Sequence, residues 1–148
     1  MSQQTTLNPK TKLLALDVGE ARIGLAVGET GLSFAFGRGY LTRSQLQADI
    51  KAVQTFALQE GAELLVIGLP KHLSGQQSKQ GQRVMAFAKA LEEVGLSYVF
   101  EDERLSTKLA SQQLSQSISK KKRQEKGRYD EAAAIIILES YLRRLKGI

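Results

Sequence analysis

The 148-residue sequence contains no cysteine. Disulfide bonds, thiolate metal sites and a cysteine nucleophile are therefore excluded. It has no tryptophan and one histidine, His72, so a Ser-His-Asp triad would have to use that single imidazole. Aromatic residues make up 6% of the chain, too few to suggest a platform on which a single strand stacks its bases. No apolar run approaches the ~20 residues that a membrane span needs. The opening, Met1 to Lys12, is polar and lacks the apolar centre of a signal peptide. These absences lead to the expectation of a cytoplasmic protein with no membrane partner.

What is present suits a single folded unit. Apolar residues form 42% of the chain, enough to bury a core, and the length is that of one domain. Residues 1–12 read as a flexible tail and 13–148 as one domain. The net charge is +6, which favours polyanionic partners. Much of that charge is local. Lys120, Lys121, Lys122 and Arg123, followed by Lys126 and Arg128, form a basic block just before Asp130. Such a run is often only a solvated loop. Its place beside an acidic residue makes it the first candidate for phosphate contacts, each adding affinity and salt dependence.

The apolar pattern gives an order of elements. Leu13 to Leu16 is a short apolar run, predicted as a buried strand that ends at Asp17. Arg22 to Glu29 reads as a second strand, joined to the first by the turn Val18-Gly19-Glu20. A third extended segment, Ser33 to Leu41, is interrupted by Gly37 and Gly39. Leu46, Ile50, Val53, Phe56 and Ala57 fall at helical spacing before a stop at Gly61. Leu64 to Ile67 is another buried strand, followed by a polar loop from Lys71 to Lys79. Val84, Phe87, Ala88 and Leu91 mark a second helix ending at Gly95. Ser97 to Phe100 is the fifth strand. Ser106 or Thr107 suits the cap of a helix over Lys108 to Gln116, and a last helix runs from Tyr129 to about Leu145. Three consecutive strands followed by strand–helix alternation predict an α/β fold: a five-stranded mixed sheet flanked by helices.

Three acids occupy positions suited to chemistry. Asp17 closes a strand, Glu103 follows another, and Asp130 opens the last helix. Strand ends and helix starts hold side chains rigidly at the rim of a sheet. If these carboxylates converge, their mutual repulsion calls for protons or a cation. Hard oxygen ligands suit Mg²⁺ or Mn²⁺. A pair of such ions ~4 Å apart can clamp a phosphodiester, activating water and stabilising the leaving oxygen. Each acid also fits a plainer role: Asp17 as a turn opener, Glu103 as a surface partner of Arg104, Asp130 as a helix-start acid. Asp102 competes with Glu103, because alternation along a strand sends them to opposite faces. Arg22 and Arg104 suit either phosphate binding or neutralisation of the acids. Gly19 and Gly24 would admit a phosphate or metal close to the backbone, or simply shape a hairpin. Loop residues Lys71, His72 and Lys79 are weaker candidates for substrate contact.

Four motifs carry a family resemblance. Leu16-Asp17-Val18-Gly19-Glu20-Ala21-Arg22-Ile23-Gly24-Leu25-Ala26 resembles the opening motif of the YqgF/RuvX family. Val66-Ile67-Gly68-Leu69-Pro70 with Gly75 is similar to its Gly-Leu-Pro loop. Asp102-Glu103-Arg104-Leu105-Ser106-Thr107 resembles its Asp-Glu-Arg-Leu element. Tyr129-Asp130-Glu131-Ala132-Ala133, with Ile137-Leu138-Glu139, resembles its closing helix, with a tyrosine where small or branched apolar residues are usual. The four occur in the family's order across residues 13–145. The resemblance implies a ribonuclease-H-like fold and a metal-dependent nuclease. It puts the catalytic and metal-binding carboxylates at Asp17, Glu103 and Asp130, and so favours Glu103 over Asp102. Family members are assigned to 5′-end processing of precursor 16S rRNA in ribosome biogenesis and, in an older assignment, to Holliday-junction resolution. The implied partner is thus precursor rRNA, with branched DNA as the alternative, and the implied state a monomer or weak homodimer. Two other classes compete. One is an RNA-binding assembly factor without catalysis. The other is an ATPase, because the Asp-x-Gly hairpin also resembles the phosphate loop of sugar-kinase and actin-like proteins; those need a second comparable domain.

Overall fold

The computed structural model describes residues 10–70, 78–102 and 126–147. Strands β1 (Lys12–Val18), β2 (Arg22–Glu29) and β3 (Phe36–Thr42) come first, followed by helix α1 (Leu46–Glu60). Strand β4 (Leu64–Leu69), helix α2 (Lys79–Glu93), strand β5 (Tyr98–Asp102) and a long helix, α3 (Lys126–Leu145), complete the order among the described residues. The five strands form one sheet in the order β3-β2-β1-β4-β5. β1 is antiparallel to β2, and β2 to β3, whereas β1, β4 and β5 run parallel. The α/β, ribonuclease-H-like arrangement expected from sequence is the one observed.

β1 lies at the centre and is covered on both sides, which explains its unbroken apolar run. Leu14, Leu16 and Val18 join Ile50, Val53, Val84, Phe87 and Leu91 in a core under α1 and α2. Leu13 and Ala15 join Ala134, Ile137, Leu138 and Leu142 in a second core under α3. By strand alternation Asp17 belongs to the α3 face. Lys12, read from sequence as the end of a tail, opens β1, and Thr11 is buried with its N–H donating to Thr30 Oγ1 at 3.0 Å.

Local chemistry sets the element ends. Gly61 adopts the left-handed conformation at φ 70°, and the Ala62 N–H donates to Ala57 O at 2.9 Å, closing α1. Ser78 caps α2 through Gly81 N–H at 2.9 Å.

Among the boundaries that differ from the sequence reading, two bear on the site. β3 begins at Phe36 rather than Ser33. α3 begins at Lys126 rather than Tyr129, so Lys126 and Arg128 belong to its first turn and Asp130 lies beyond it. A glycine at 127 masked the helix start in sequence; its value there is close packing, because a Cβ at 127 would collide with the Tyr40 ring. The predicted helix over Lys108 to Gln116 lies outside the described residues. Among the described residues no helix is long and apolar enough to cross a membrane.

Candidate active site

The site forms where the end of β1 meets the start of α3. Asp17 is paired in register with Gly24 of β2, on the face that α3 covers. With no side chain at Gly24, the α3 backbone can descend onto the sheet. A Cβ at position 24 would overlap the Asp130 carbonyl. The expectation that Gly24 admits a phosphate or metal is therefore replaced: the space is taken by the protein's own helix. That close approach delivers the Asp130 side chain beside Asp17. Gly19 makes the hairpin turn, its N–H donating to Arg22 O at 2.9 Å.

The electrostatics follow from that meeting. Burial pushes the Asp17 carboxyl up from 3.8 to about 7, and the neighbouring Asp130 charge adds to the rise. Burial also raises Asp130, opposed by the Arg22 guanidinium, which donates from Nε to Asp130 Oδ2 at 2.7 Å. Of the two sequence readings for Arg22, neutralising the acid is the contact made. With α3 starting at Lys126, its first turn holds no acid. Asp130 is thus not a first-turn dipole acid; its carboxylate is committed to Arg22 and the vicinity of Asp17.

Surrounding contacts hold the rim in place. Gln80 Nε2 donates to Val18 O at 2.7 Å, tying α2 to the end of β1. Arg43 donates to Gly19 O at 2.9 Å and to Asp49 Oδ2 at 3.1 Å, bracing the hairpin turn against α1. Its guanidinium also lies 5.0 Å from the Phe87 ring centroid. Glu131, next to Asp130, accepts from the Gly39 N–H at 2.7 Å. The sequence reading missed Arg43, Asp49 and Glu131. The two glycines of β3 were the available signal for Glu131, since its carboxylate occupies the space a side chain at Gly37 would fill.

Asp102 pairs with Leu69 at the end of β5. It shares a strand face with Phe100, which packs on the α1/α2 core, so it is turned away from Asp17 and Asp130. Glu101 is on the α3 face but is fully engaged. It is buried, accepts from Ser140 Oγ at 2.6 Å and forms an ion pair with Arg144. Glu103, Arg104, Lys120, Lys121, Lys122, Arg123, Lys71 and His72 lie outside the described residues, as does the Lys126 side chain. Arg128 is exposed on the first turn of α3. Among the described residues no group of three or more acids or histidines gathers closely enough to hold a metal.

The profile of the family described as "RuvX: Holliday junction resolvase" matches residues 11–144. The chain belongs to the YqgF/RuvX family. A "Putative pre-16S rRNA nuclease" of Thermus thermophilus is 47% identical over 88% of this chain and 96% of its own length. A protein of Deinococcus radiodurans named "Ribonuclease YqgF" is 41% identical over 89% of this chain and 88% of its own. The RuvC structure of Thermus thermophilus superposes with a TM-score of 0.53 at 14% identity, covering 93% of this chain and 97% of that one. That likeness establishes a shared fold. This YqgF/RuvX chain is thus a member of a nuclease family, and the paired acids lie within the span that the family profile covers.

Proposed function

We propose that this YqgF/RuvX chain is a divalent-metal-dependent nuclease that trims the 5′ end of precursor 16S rRNA. The observation that carries the reading is the meeting of Asp17 and Asp130, with the Asp17 carboxyl raised to about 7. Two partly buried carboxylates brought together from distant segments suit a hard cation, which replaces the proton one of them would otherwise keep. Asp17 and Asp130 would hold Mg²⁺ or Mn²⁺, with Glu103 as third ligand through its place in the Asp-Glu-Arg-Leu element. When bound, such an ion makes water a nucleophile at neutral pH and offsets charge on the scissile phosphate.

The protein's own groups prepare that step. Arg22 fixes the orientation of the Asp130 carboxylate and favours its ionised form. Gly24 sets the depth at which α3, and hence Asp130, sits over β1. Arg104, Lys120, Lys121, Lys122, Arg123, Lys126 and Arg128 would supply phosphate contacts. Those contacts orient the strand without reading its sequence. The names of the curated relatives favour RNA as substrate.

The family description supports a second reading, resolution of branched DNA. Paired symmetric cuts call for a two-fold dimer.

Cleavage of precursor rRNA and of a four-way DNA junction, each in Mn²⁺, separates the two. Wild type is expected to cut the RNA. Asp17→Asn, Glu103→Gln and Asp130→Asn are expected to lose cleavage while remaining folded. Cleavage of the junction alone would move the substrate to DNA. RNA binding with no cleavage of either would replace the nuclease by an assembly factor.

A further inference from the structure

β3 is an edge strand, and its side chains begin by alternating regularly. Phe36 pairs with Val27 on the α1 side of the sheet, and Arg38 reaches Glu60 of α1 at 3.5 Å. Continued alternation would send Tyr40 the same way. The register shows otherwise. Gly24 pairs with Tyr40 and Ala26 with Gly37, so two steps along β2 are matched by three along β3. Gly39, at φ 78°, takes up the extra residue as a bulge. Beyond it the phase is reversed. Leu41 packs toward the α1/α2 core, and Tyr40 turns to the α3 face.

The bulge is held from the site itself. Glu131, adjacent to Asp130, accepts the Gly39 N–H at 2.7 Å. The Tyr40 ring lies against Gly127, one turn before Asp130. Asp17, Gly24 and Tyr40 therefore stand in one row across three strands, all on the α3 face. Two strand spacings, about 10 Å, separate the Asp17 and Tyr40 backbones. Tyr40 nevertheless remains 44% exposed. Among the described residues its hydroxyl has no hydrogen-bond partner. A large ring re-aimed by a bulge, seated on a glycine and left half in water is not explained by core packing. Bulges beside functional sites commonly serve to redirect one side chain. Arg128 is exposed on the same turn as Gly127.

We propose that Tyr40 is a substrate-binding residue whose ring stacks on the nucleobase next to the phosphodiester held at Asp17 and Asp130. The stacked base sets the register of the strand and so the position of the cut. Stacking on a π-face tolerates any base, so the contact positions the substrate without demanding a sequence. The inference rests on the nuclease reading and adds to it a contact that the scarcity of aromatic residues did not suggest.

The test uses oligonucleotides in which 2-aminopurine is walked one position at a time past the cleavage point, as RNA and as DNA. Fluorescence is read in EDTA on the full chain, so that binding is scored without cleavage. Wild type and Tyr40→Phe are expected to quench one flanking position. Tyr40→Leu is expected to lose that quench and to bind about tenfold more weakly, the scale of one stacked base. Its melting temperature and circular dichroism serve as the check on folding. Quenching by RNA alone or by DNA alone identifies the substrate that supplies the base. Three results would overturn the proposal: no quenched position with wild type, a quench retained in Tyr40→Leu, or quenching far from the cut. Cleavage of the same unlabelled strands in Mn²⁺ keeps the two readings apart. Cleavage without quench removes Tyr40 alone. Quench by a wild type that cleaves nothing removes the nuclease reading, and with it the claim that the base flanks a cut.

Discussion

The carbonyl of Asp130 rests on Gly24 so closely that no side chain fits between them. Gly24 is also the cross-strand partner of Asp17. One missing side chain thus sets the separation of the two acids. Gly24→Ala is expected to push α3 off the sheet at its active end. Overpacking of this kind costs about 1–3 kcal/mol, readable as a lower urea midpoint. Cleavage is expected to fall by a larger factor than stability alone would give, because the shift falls on Asp130 itself. A folded Gly24→Ala variant with wild-type turnover would show that the acids need not be so close.

The Asp17 carboxyl ties stability to pH. It ionises near 3.8 when the chain is unfolded but near 7 when folded. Its contribution is therefore full below about pH 4 and is lost as pH rises through 7. In metal-free buffer the melting temperature of wild type is expected to fall between about pH 5 and pH 8. Asp17→Asn has no such proton to lose. Its melting temperature at pH 8 is expected to exceed that of wild type by several degrees, at about 2–4 °C per kcal/mol for a domain of this size. Parallel pH profiles for the two proteins would remove the carboxyl from this role.

A divalent cation should reverse that loss. Binding at a hundred times the dissociation constant stabilises a folded protein by about 2.7 kcal/mol. Mn²⁺ at pH 8 is therefore expected to raise the melting temperature of wild type, and EDTA to lower it again. Asp17→Asn and Asp130→Asn should respond far less. An equal rise in all three proteins would locate the ion elsewhere.

Arg22 is the group that opposes protonation of Asp130. Without it the Asp130 carboxyl rises further, so a higher pH is needed to keep both acids ionised. The acidic limb of the cleavage-rate profile is expected to move to higher pH in Arg22→Gln. A profile that drops uniformly without moving would instead assign Arg22 to substrate binding.

Glu101 illustrates an acid on the α3 face that is used for structure. It is buried, with Ser140 and Arg144 as partners. Glu101→Ala is expected to lose about 1–3 kcal/mol by denaturant titration, the cost of unmaking charged hydrogen bonds and leaving a polar partner behind. Turnover of the folded fraction should stay near wild type. A selective loss of cleavage would make Glu101 part of the site.

The sequence determined the sheet and its two covers. The apolar run of β1 requires burial on both faces, and the periodic apolar residues of α1 and α2 supply one cover; these are local regularities that any strand or helix imposes on its own residues. It also marked Asp17 and Asp130 by their places at the end of a strand and near the start of a helix. The roles of Gly24 and Gly127 were not legible, because their purpose lies in the atoms that approach them, the Asp130 carbonyl and the Tyr40 ring, and that of Gly39 lies in the φ of 78° that the β3 bulge requires. The choice of Arg22 for Asp130, the commitment of Glu101 to Arg144, and the face on which Asp102 falls were likewise decided only by the tertiary structure. Contacts between segments far apart in the chain depend on helix depth and strand register, and no short window of sequence encodes either.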